Sequence, residues 1–550
     1  MGQPRLINIL YLLILSVVNS RSVPENDGKG YFANSSKYDK KKYIVTFKIP
    51  ESSSYSEMLR TQDNNFIRIQ SKLTPGDSLG GRNRFGFFAD LMDETRRKLE
   101  EDPSIAAVEE DTEIKIQDFQ IKEMLSNPQY PNHEIILRDC AFGKVGDILS
   151  PPKNLGLEII APTFILQKNS PWGLSKVSGY KNDFEYISNG GEDVFVYVLD
   201  TGIDIGHPEF EGRAEWGGNF ANNIDMDEVG HGTHCAGTIA GLNFGIAKKA
   251  NLVAVKVLNG HGAGMVSSFL EGIDFVINDF ERKLEKYYRG VELEYYRGLD
   301  ETISASNSRI GDISTFGYFS KIPSLYEAIS SILSTKTGKP KAVVNLSLGG
   351  PKSHALNSAI HYASKFMNIH FSTAAGNQHE SACKFSPASS EYSLTIGAND
   401  SKNQISDFSN VGKCVDIYAP GTDILSAWPR NLEVVGRKPL PSGETNVLSS
   451  ATEDLQNSGV DLPCEMCNIV SGTSMAAPHV AGIMAVYISL MDLTVEELKE
   501  QIKKDSEKII SDKDDIPAFP MSLFVKNNKF YPMASLRKLY LRLKTANLNK

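Results

Sequence analysis

The segment that decides the fold is Ser471-Gly-Thr-Ser-Met-Ala-Ala-Pro-His-Val-Ala-Gly482, a small flexible turn that leads into an apolar stretch. The stretch from Met475 to Met491 is apolar on almost every side, which predicts a buried core helix and is short for a membrane span. Ser474 then lies in the first turn, where unpaired backbone N–H groups and the helix dipole favour a developing negative charge. Pro478 fits that placement, because proline is tolerated in the first turn of a helix, where its missing N–H costs little. Taken alone, the pattern also fits a serine cap on a core helix, so its meaning depends on partners elsewhere.

Four other segments predict strands of a parallel sheet. Each is a continuous apolar run, and helical stretches separate them: Asp193 to Leu199, Asn251 to Leu258, Lys341 to Leu348 and Ile369 to Ala375. Strands buried on both faces indicate an α/β domain, which we place at residues 171–510. Functional groups in such domains gather at the carboxyl ends of strands. Asp200 and Asn377 both follow a strand in this way.

Two polar motifs supply partners for Ser474. Gly230-His231-Gly-Thr-His-Cys-Ala-Gly237 holds a histidine, the usual general base near neutral pH, between glycines. Val198-Leu-Asp200-Thr-Gly-Ile-Asp204 places a carboxylate where it can accept a histidine N–H and stabilise the imidazolium. His231 and His234 are also spaced like a metal pair, but we expect His234 to be a core histidine. Cys235 is expected to be a buried thiol rather than a nucleophile.

The motifs VLDTGID, GHGTHCAG and GTSMAAPHVAG closely resemble the three active-site signatures of the subtilases, and Ala374-Ala-Gly-Asn377 resembles the segment of their oxyanion asparagine. The chain order Asp, His, Ser is that of subtilisin. The likeness is strongest to the proteinase K group, especially fungal vacuolar proteases of the cerevisin type, and covers about 171–275, 341–427 and 468–505. It implies a three-layer subtilisin-like α/β fold with a mostly parallel central sheet.

The resemblance also implies a role for each residue in a serine endopeptidase. Ser474 would attack the scissile carbonyl, His231 would take the serine proton, and Asp200 would orient and stabilise His231. The Asn377 side chain and the Ser474 backbone N–H would stabilise the oxyanion. The substrate, a protein or peptide, would bind as an extended strand between two backbone edges. The edge residues implied are Gly262, Ala263, Gly264, Ser347, Leu348, Gly349 and Gly350.

The edges carry no acidic cluster of the kind that a dibasic-specific relative has, so we expect broad cleavage with an apolar or aromatic preference. No cofactor is expected for the chemistry. A structural calcium ion is implied by the match of Asp416 to a calcium carboxylate of proteinase K, with backbone carbonyls near Glu391 and Ser393. The alternative is that Asp416 only accepts hydrogen bonds from its loop.

Six cysteines in a secretory context permit disulfides. The resemblance pairs them and leaves Cys140 and Cys235 free; the implied pairs are Cys383 with Cys414 and Cys464 with Cys467. Glycosylation sequons begin at Asn34 and Asn399. Asn345 also matches the sequon, but its apolar surroundings predict that it is buried and unmodified.

The N-terminal part predicts targeting and inhibition. Residues 1–20 resemble a signal peptide, with an uncleaved anchor as the alternative. Residues 42–117 predict a small α/β unit with a strand from Tyr43, a helix from Phe88 to Leu99 and a closing extended segment, and they loosely resemble the ferredoxin-like inhibitor prodomain of the family. Residues 118–170 are predicted to be a linker, with processing near Gln117, near Asn169, or at both.

Two stretches, about 278–338 and 428–465, interrupt the α/β pattern and are predicted to be surface insertions. A last helix is predicted from Val495 to Ile510, followed by a C-terminal tail, 511–550. The net charge of −9 argues against a nucleic-acid binder. After the leader no long apolar run follows, so stable membrane insertion is not expected.

These features together predict a subtilisin-like zymogen of the secretory pathway, located outside the cell, in the cell wall or in a vacuole, and inhibited by its own prodomain. Two alternatives remain open at this stage. One is a selective maturation protease whose 278–338 insertion restricts access. The other is an inactive binding protein built on a protease scaffold.

Overall fold

The computed structural model describes residues 41–49, 54–116, 163–307, 338–430, 466–511, 529–533 and 535–548. Residues 41–276 and 341–550 belong to one compact unit, and 277–340 belong to a second. Several predicted features lie outside the described residues: the signal peptide, Asn34, Cys140, Cys464 and most of the linker and of the two insertions.

Residues 41–116 form a small α/β layer whose element order is βαββαβ. Its elements are β1 (Lys41–Phe47), α1 (Tyr55–Gln70), β2 (Ser78–Asn83), β3 (Gly86–Leu91), α2 (Asp93–Glu100), β4 (Ile105–Glu110) and β5 (Glu113–Lys115). The first four strands make an antiparallel sheet in the order β2-β3-β1-β4, which is the ferredoxin-like arrangement.

The predicted helix from Phe88 to Leu99 is wrong in its first part. Phe88 lies in β3, where burial alternates along the strand in the manner of a sheet with one covered face. The helix α2 begins only at Asp93, and Asp93 and Glu94 lie in its first turn, where acidic side chains are favoured by the helix dipole.

The remaining elements of the first unit, in chain order, are β6 (Phe164–Gln167), α3 (Trp172–Ser178), β7 (Phe184–Ile187), β8 (Val194–Asp200), β9 (Ala214–Asn219), α4 (His231–Ala240), β10 (Asn251–Lys256), β11 (Ala263–Met265), the start of α5 (Val266–Asn307), β12 (Lys341–Leu346), β13 (Gly350–Pro351), α6 (His354–Met367), β14 (His370–Ala374), β15 (Phe385–Ser386), β16 (Leu394–Asn399), β17 (Ile417–Pro420), β18 (Ile424–Ala427), β19 (Cys467–Val470), α7 (Thr473–Leu490), α8 (Val495–Asp505), β20 (Glu507–Ser511), β21 (Lys529–Met533) and α9 (Arg537–Leu548). The four buried strands predicted from the sequence are β8, β10, β12 and β14. They start and end within two residues of the predicted bounds.

A nine-stranded sheet runs through this unit in the order β20-β21-β17-β16-β14-β12-β8-β10-β9. Its neighbouring strands are parallel, except that β20 and β21 pair antiparallel. On one face, Val196 and Val198 of β8 share a core with α4 and α7. On the other face, Gly272 of α5 lies against Leu199 and Val255, close enough that a Cβ would meet Val257 at 2.7 Å. Helices on both sheet faces make the three-layer α/β fold that the sequence predicts.

The helix α7 is the buried core helix predicted from the apolar stretch. Within the described part of the chain it alone is long and apolar enough to cross a membrane, but 89% of it is buried inside the protein. Its apolar character is therefore explained by its contacts with the sheet and with α4.

The C-terminal region differs from its prediction. The helix expected from Val495 to Ile510 ends at Asp505, and the Ser506 hydroxyl donates to the Lys503 carbonyl at 2.6 Å, which competes with further helical bonds. The tail then contributes β21 and α9. The buried Tyr540 of α9 and an ion pair from Lys544 to Glu185, 2.7 Å long, attach this helix to the rest of the first unit.

The described part of the second unit is the continuation of α5 from Ile277 to Asn307. Ion pairs one helical turn apart follow its surface, Lys283 with Asp279 at 2.7 Å and Arg289 with Glu285 at 2.5 Å. Such pairs support an exposed helix. The predicted insertion therefore begins as a helix.

Candidate active site

Asp200 and His231 lie where a strand ends and a helix begins. Asp200 closes β8 and is fully buried; His231 opens α4 and is 1% exposed. The His231 Nδ1 and the Asp200 Oδ1 are 2.7 Å apart. Gly230, just before the helix, has φ +92°, and a Cβ there would lie 2.5 Å from the Trp428 ring. Only glycine therefore lets the chain enter α4 in this position.

The charge state of His231 is set by two opposing effects. Burial is the largest effect and lowers the pKa of His231, but the interactions with the Asp200 carboxylate and with the Cys235 sulfur together raise the pKa well above its ordinary value. The carboxylate also fixes the ring, because Nδ1 is committed to Asp200 and Nε2 is left as the proton-transfer atom. The pair therefore has the chemistry of a general base with its orienting group.

A second acid, Asp227, connects the two segments that carry this pair. Its Oδ1 accepts from the Thr201 hydroxyl at 2.7 Å, beside Asp200, and its Oδ2 accepts from the Thr233 hydroxyl at 2.7 Å, within α4. Asp227 Oδ1 also accepts the Gly230 N–H at 2.8 Å. The role of Asp227 is not evident in the sequence, because its position four residues before His231 gains meaning only once the start of α4 is known.

Ser474 lies at the start of α7 with its hydroxyl donating to the Ser347 carbonyl at 3.0 Å. Pro478 is inside α7 rather than in its first turn, which corrects the prediction. Because a proline has no N–H, the Ser474 carbonyl lacks its usual helical donor. The Ser347 hydroxyl donates to that carbonyl instead, at 2.7 Å, and the Cys235 thiol lies 3.5 Å from it. The helix tolerates proline here because side chains replace the missing bond.

The Asn377 side chain has a fixed orientation. Its Oδ1 accepts from the Thr473 backbone N–H at 2.9 Å and from the Thr473 hydroxyl at 2.8 Å. Its Nδ2 therefore lies on the other side, 3.2 Å from where a Cβ on Gly472 would be, next to Ser474. Thr473, which sequence reasoning overlooked, thus fixes the direction in which the Asn377 amide N–H groups point.

The two predicted substrate edges enclose a strand from this same chain. The strand β5 pairs antiparallel with β11, and Lys115 forms a bridge to Gly349 on the opposite edge. The Ile116 N–H donates to the Gly262 carbonyl at 2.9 Å. A Cβ at Gly262 would lie 2.5 Å from the Ile116 side chain. The glycine thus makes room for a side chain of the strand between the edges.

Sequence comparison agrees with this geometry. The family model described as the subtilase family matches residues 191–283 and 308–522. The chain belongs to the subtilase family. It is 35% identical to a subtilisin-like proteinase 1 of Encephalitozoon cuniculi, with 98% of this chain and 99% of that protein covered. It is 36% identical to the subtilisin-like serine protease pepC of Aspergillus niger and 34% identical to alkaline protease 2 of Aspergillus fumigatus. Each of these two comparisons covers 62% of this chain, and 52% and 56% of the fungal proteins.

The family resemblance and the α/β fold class predicted from the sequence are therefore confirmed, and this subtilase is a serine endopeptidase. The matched ranges omit residues 284–307, which fall within the predicted 278–338 insertion.

Cys235 and His234 are core residues of the subtilase, as predicted. The His234 Nε2–H donates to the Ile424 carbonyl at 2.9 Å, and burial lowers the pKa of His234 to about 3, so the ring is neutral. Asp200, His231 and Cys235 offer ligand atoms within 4.8 Å of one another. Burial raises the pKa of the Cys235 thiol, however, and a protonated thiol is a poor metal ligand.

The cysteine and sequon predictions have mixed outcomes. Cys383 and Cys414 form the expected disulfide. Cys467 is disulfide-bonded, while its expected partner Cys464 lies outside the described residues. The glycosylation prediction at Asn399 is wrong for the folded protein, because Asn399 is 0% exposed and its Nδ2 donates to the Asp400 carbonyl at 3.0 Å. A glycan on this atom would have no room.

Proposed function

We propose that this subtilase hydrolyses peptide bonds through Asp200, His231 and Ser474, with Asn377 as oxyanion donor, and that residues 41–116 inhibit it until they are cleaved. The observation that carries the proposal is the buried Asp200–His231 pair, 2.7 Å long, whose neighbour Cys235 also contacts the Ser474 carbonyl. The Cys235 sulfur lies 4.0 Å from the His231 Nδ1 and 3.5 Å from the Ser474 carbonyl oxygen, so the residues proposed as base and nucleophile contact the same buried side chain.

The catalytic step follows from the charges. His231 Nε2 takes the proton of the Ser474 hydroxyl as Oγ attacks the scissile carbonyl, and the resulting imidazolium is stabilised by Asp200. The Asn377 Nδ2 and the Ser474 N–H, at the positive end of α7, donate hydrogen bonds to the new oxyanion. His231 then donates its proton to the leaving amine. In the second half of the reaction, water attacks the acyl-enzyme with His231 again as the general base, which releases the carboxylic acid and the free Ser474 hydroxyl.

Replacing Asn377 by alanine should lower kcat by about 10²–10³ with little change in KM, the loss that is known for the equivalent donor of a subtilisin. The reason is that the donor acts on charge that exists only after attack. Steady-state kinetics with a chromogenic peptide gives kcat and KM for the variant and for the wild type. Thr473→Val, which keeps the shape but removes one bond to Asn377 Oδ1, should show a smaller loss; an equal fall in both kcat and 1/KM for Asn377→Ala would contradict the assignment.

The inhibitory role of residues 41–116 rests on how they contact the substrate edges and two helices. Besides β5 in the cleft, Glu109 accepts the His354 N–H at 2.9 Å at the start of α6. Asp111 accepts the Ser267 N–H at 3.0 Å at the start of α5. Carboxylates are favoured at helix N-termini because four N–H groups there lack helical partners.

Side chains of the small unit add further contacts to the peptidase part. Arg84 pairs with Asp274 at 2.5 Å, and both side chains are mostly buried. The ring of Phe85 packs edge-on against Tyr362, with centroids 5.4 Å apart. A segment that fills the cleft and is held at several other places blocks substrate, which is the arrangement of an inhibitor.

Glu109→Gln in the 41–116 fragment should weaken its inhibition of the processed enzyme by about 10-fold, since a charged acceptor at a helix N-terminus is lost. The measurement is the inhibition constant of the added fragment. Glu110→Gln is the matched control, because Glu110 pairs with Lys41 inside the small unit. Equal weakening by both changes would show that Glu109 acts only through folding of the fragment.

The first processing event is proposed to lie directly after Ile116. The strand β5 and the following Ile116 pair with the two substrate edges. The next peptide bonds along the chain, near Gln117, are therefore the ones that we expect Ser474 to attack. Residues 117–162 lie outside the described residues. Mass spectrometry of the released N-terminal fragment tests this assignment, and a fragment that ends near Asn169, with none that ends near Ile116, would contradict it.

The substrate class proposed is unfolded or extended protein, cleaved with broad specificity, after export through the secretory pathway. Glycines on both edges, Gly262 and Gly350, leave space for varied side chains; a Cβ at Gly350 would lie 2.9 Å from the Ile114 side chain. Digestion of a diverse peptide library by the processed enzyme should give many cleavage motifs with apolar or aromatic residues favoured. One or two dominant motifs would support a selective maturation protease instead.

A further inference from the structure

The neighbourhood of Asp416 is a cation site filled by this chain itself. The carboxylate lies just before β17, and its Oδ2 accepts the Thr395 N–H at 3.0 Å at the start of β16. The family resemblance assigns this carboxylate, with carbonyl oxygens near Glu391 and Ser393, to a calcium ion. In the structure the same oxygens surround the Lys499 ammonium group.

The Lys499 Nζ lies 3.0 Å from the Asp416 Oδ2, 2.9 Å from the Ser393 carbonyl and 3.2 Å from the Glu391 carbonyl. An ammonium group has three donors, and three oxygens accept from it here. The Lys503 Nζ lies 2.8 Å from the other carboxylate oxygen, Oδ1. The Asp416 and Lys499 side chains are only 13% and 18% exposed.

Helix α8 presents both lysines to the site. Lys499 and Lys503 are one helical turn apart and so share a face. The helix start is fixed by a capping box between Thr494 and Glu497, and the buried Leu498 and Ile502 anchor the neighbouring face. Because α8 is anchored in this way, the backbone positions of both lysines relative to Asp416 are fixed by the fold.

Calcium and this ammonium group exclude each other. Calcium needs six to eight oxygens at about 2.3–2.6 Å, and it would have to take the three oxygens that Lys499 uses and the space that Nζ fills. The two lysines bring the same total charge to the carboxylate as one Ca²⁺ ion. The residues present therefore do not fit a calcium ion while Lys499 stands in the site.

We propose that Lys499, backed by Lys503, takes the place of a structural calcium ion and ties α8 to the β16–β17 region, so that this part of the subtilase is stable without free calcium. A bound ion stabilises a protein by an amount that grows with the logarithm of its free concentration, whereas the stabilisation by a built-in ammonium group does not depend on any solute. The proposal is independent of the catalytic assignments above.

The test is thermal unfolding of the full chain in excess EDTA and in excess CaCl₂, with Ser474→Ala in every variant to prevent self-digestion. The parent should unfold at the same temperature in both solutions. Lys499→Ala should unfold earlier in EDTA and gain a calcium-dependent rise in Tm of about 5–10 °C, because the three oxygens become available to the ion. Lys503→Ala is the matched control: it removes charge from Oδ1 but leaves Lys499 in place, so its Tm should fall without any calcium response.

Two results would overturn the proposal. The first is a calcium-dependent rise of the parent Tm that Asp416→Asn removes, since the ion would then bind in spite of Lys499. The second is a Lys499→Ala chain whose Tm is equal in both solutions, since the oxygens would then not form a cation site. If Lys499→Ala folds in neither solution, Lys499→Gln, which keeps the length of the side chain and removes the charge, is measured in the same way.

Discussion

Replacing Ser474 by alanine is expected to lower kcat by a factor on the order of 10⁶, the size known for the equivalent serine of a subtilisin. The Ser474 hydroxyl stands at the first turn of α7, and it is the group on which the proposed mechanism forms the acyl-enzyme. The substitution should also leave the chain unprocessed, because the bond after residues 41–116 is proposed to be cut by the same site. Peptide hydrolysis and the mass of the purified chain measure the two effects.

Ser489→Ala is the matched control for this experiment. Ser489 lies at the other end of α7, where its hydroxyl donates to the Val486 carbonyl at 2.8 Å and accepts the Gly191 N–H. The control should be processed and active. A Ser474→Ala chain that is correctly folded and still hydrolyses peptides at a rate near that of the wild type would refute the assignment of the nucleophile.

Asp200→Asn is expected to lower kcat by about 10⁴ near neutral pH, the loss known for the corresponding change in a serine protease of another fold. It should also move the pH profile. The His231 pKa is raised above its ordinary value by Asp200 against the lowering effect of burial, and catalysis needs the neutral ring. In the wild type, kcat/KM should therefore rise with pH through a midpoint above the ordinary histidine value of 6.5.

Removal of the carboxylate leaves burial as the main influence on the ring, so the midpoint of the residual activity should fall. The profile is measured from kcat/KM for a peptide whose own groups do not titrate in this range. Asp204→Asn, in the same loop but without a contact to His231 among the described hydrogen bonds and ion pairs, should keep both the rate and the midpoint. An Asp200→Asn midpoint that is unchanged or higher would show that another group sets the pKa of His231.

The sequence predicts the parts of this protein whose pattern is local. The continuous apolar runs of β8, β10, β12 and β14 predict a parallel sheet. The apolar residues on all sides of α7 predict a core helix. The motifs around Asp200, His231 and Ser474 are short and dense in glycine, because the backbone must pass close to other groups there. The apolar runs and the glycine-rich motifs can therefore be recognised from one sequence alone.

Other features depend on contacts between distant parts of the chain. The segment at Phe88 has helical spacing, yet it pairs with β1 and becomes a strand, since tertiary pairing decides between two local preferences. Asp227 and Thr473 hold the proposed catalytic residues through hydrogen bonds to other segments of the chain, and the sequence does not show those bonds. Lys499 looks like an ordinary exposed helical lysine in the sequence, and only the fold shows that it binds Asp416.

The measurement that tests the central claim most directly is labelling by a fluorophosphonate probe followed by mapping of the modified residue. Such a probe reacts with a serine only when a base activates it and an oxyanion site receives the product. We expect the intact chain to label weakly, because β5 lies between the substrate edges, and the processed chain to label on Ser474 alone. Folded, processed protein without a label on Ser474, or with a label on another serine, would contradict the account.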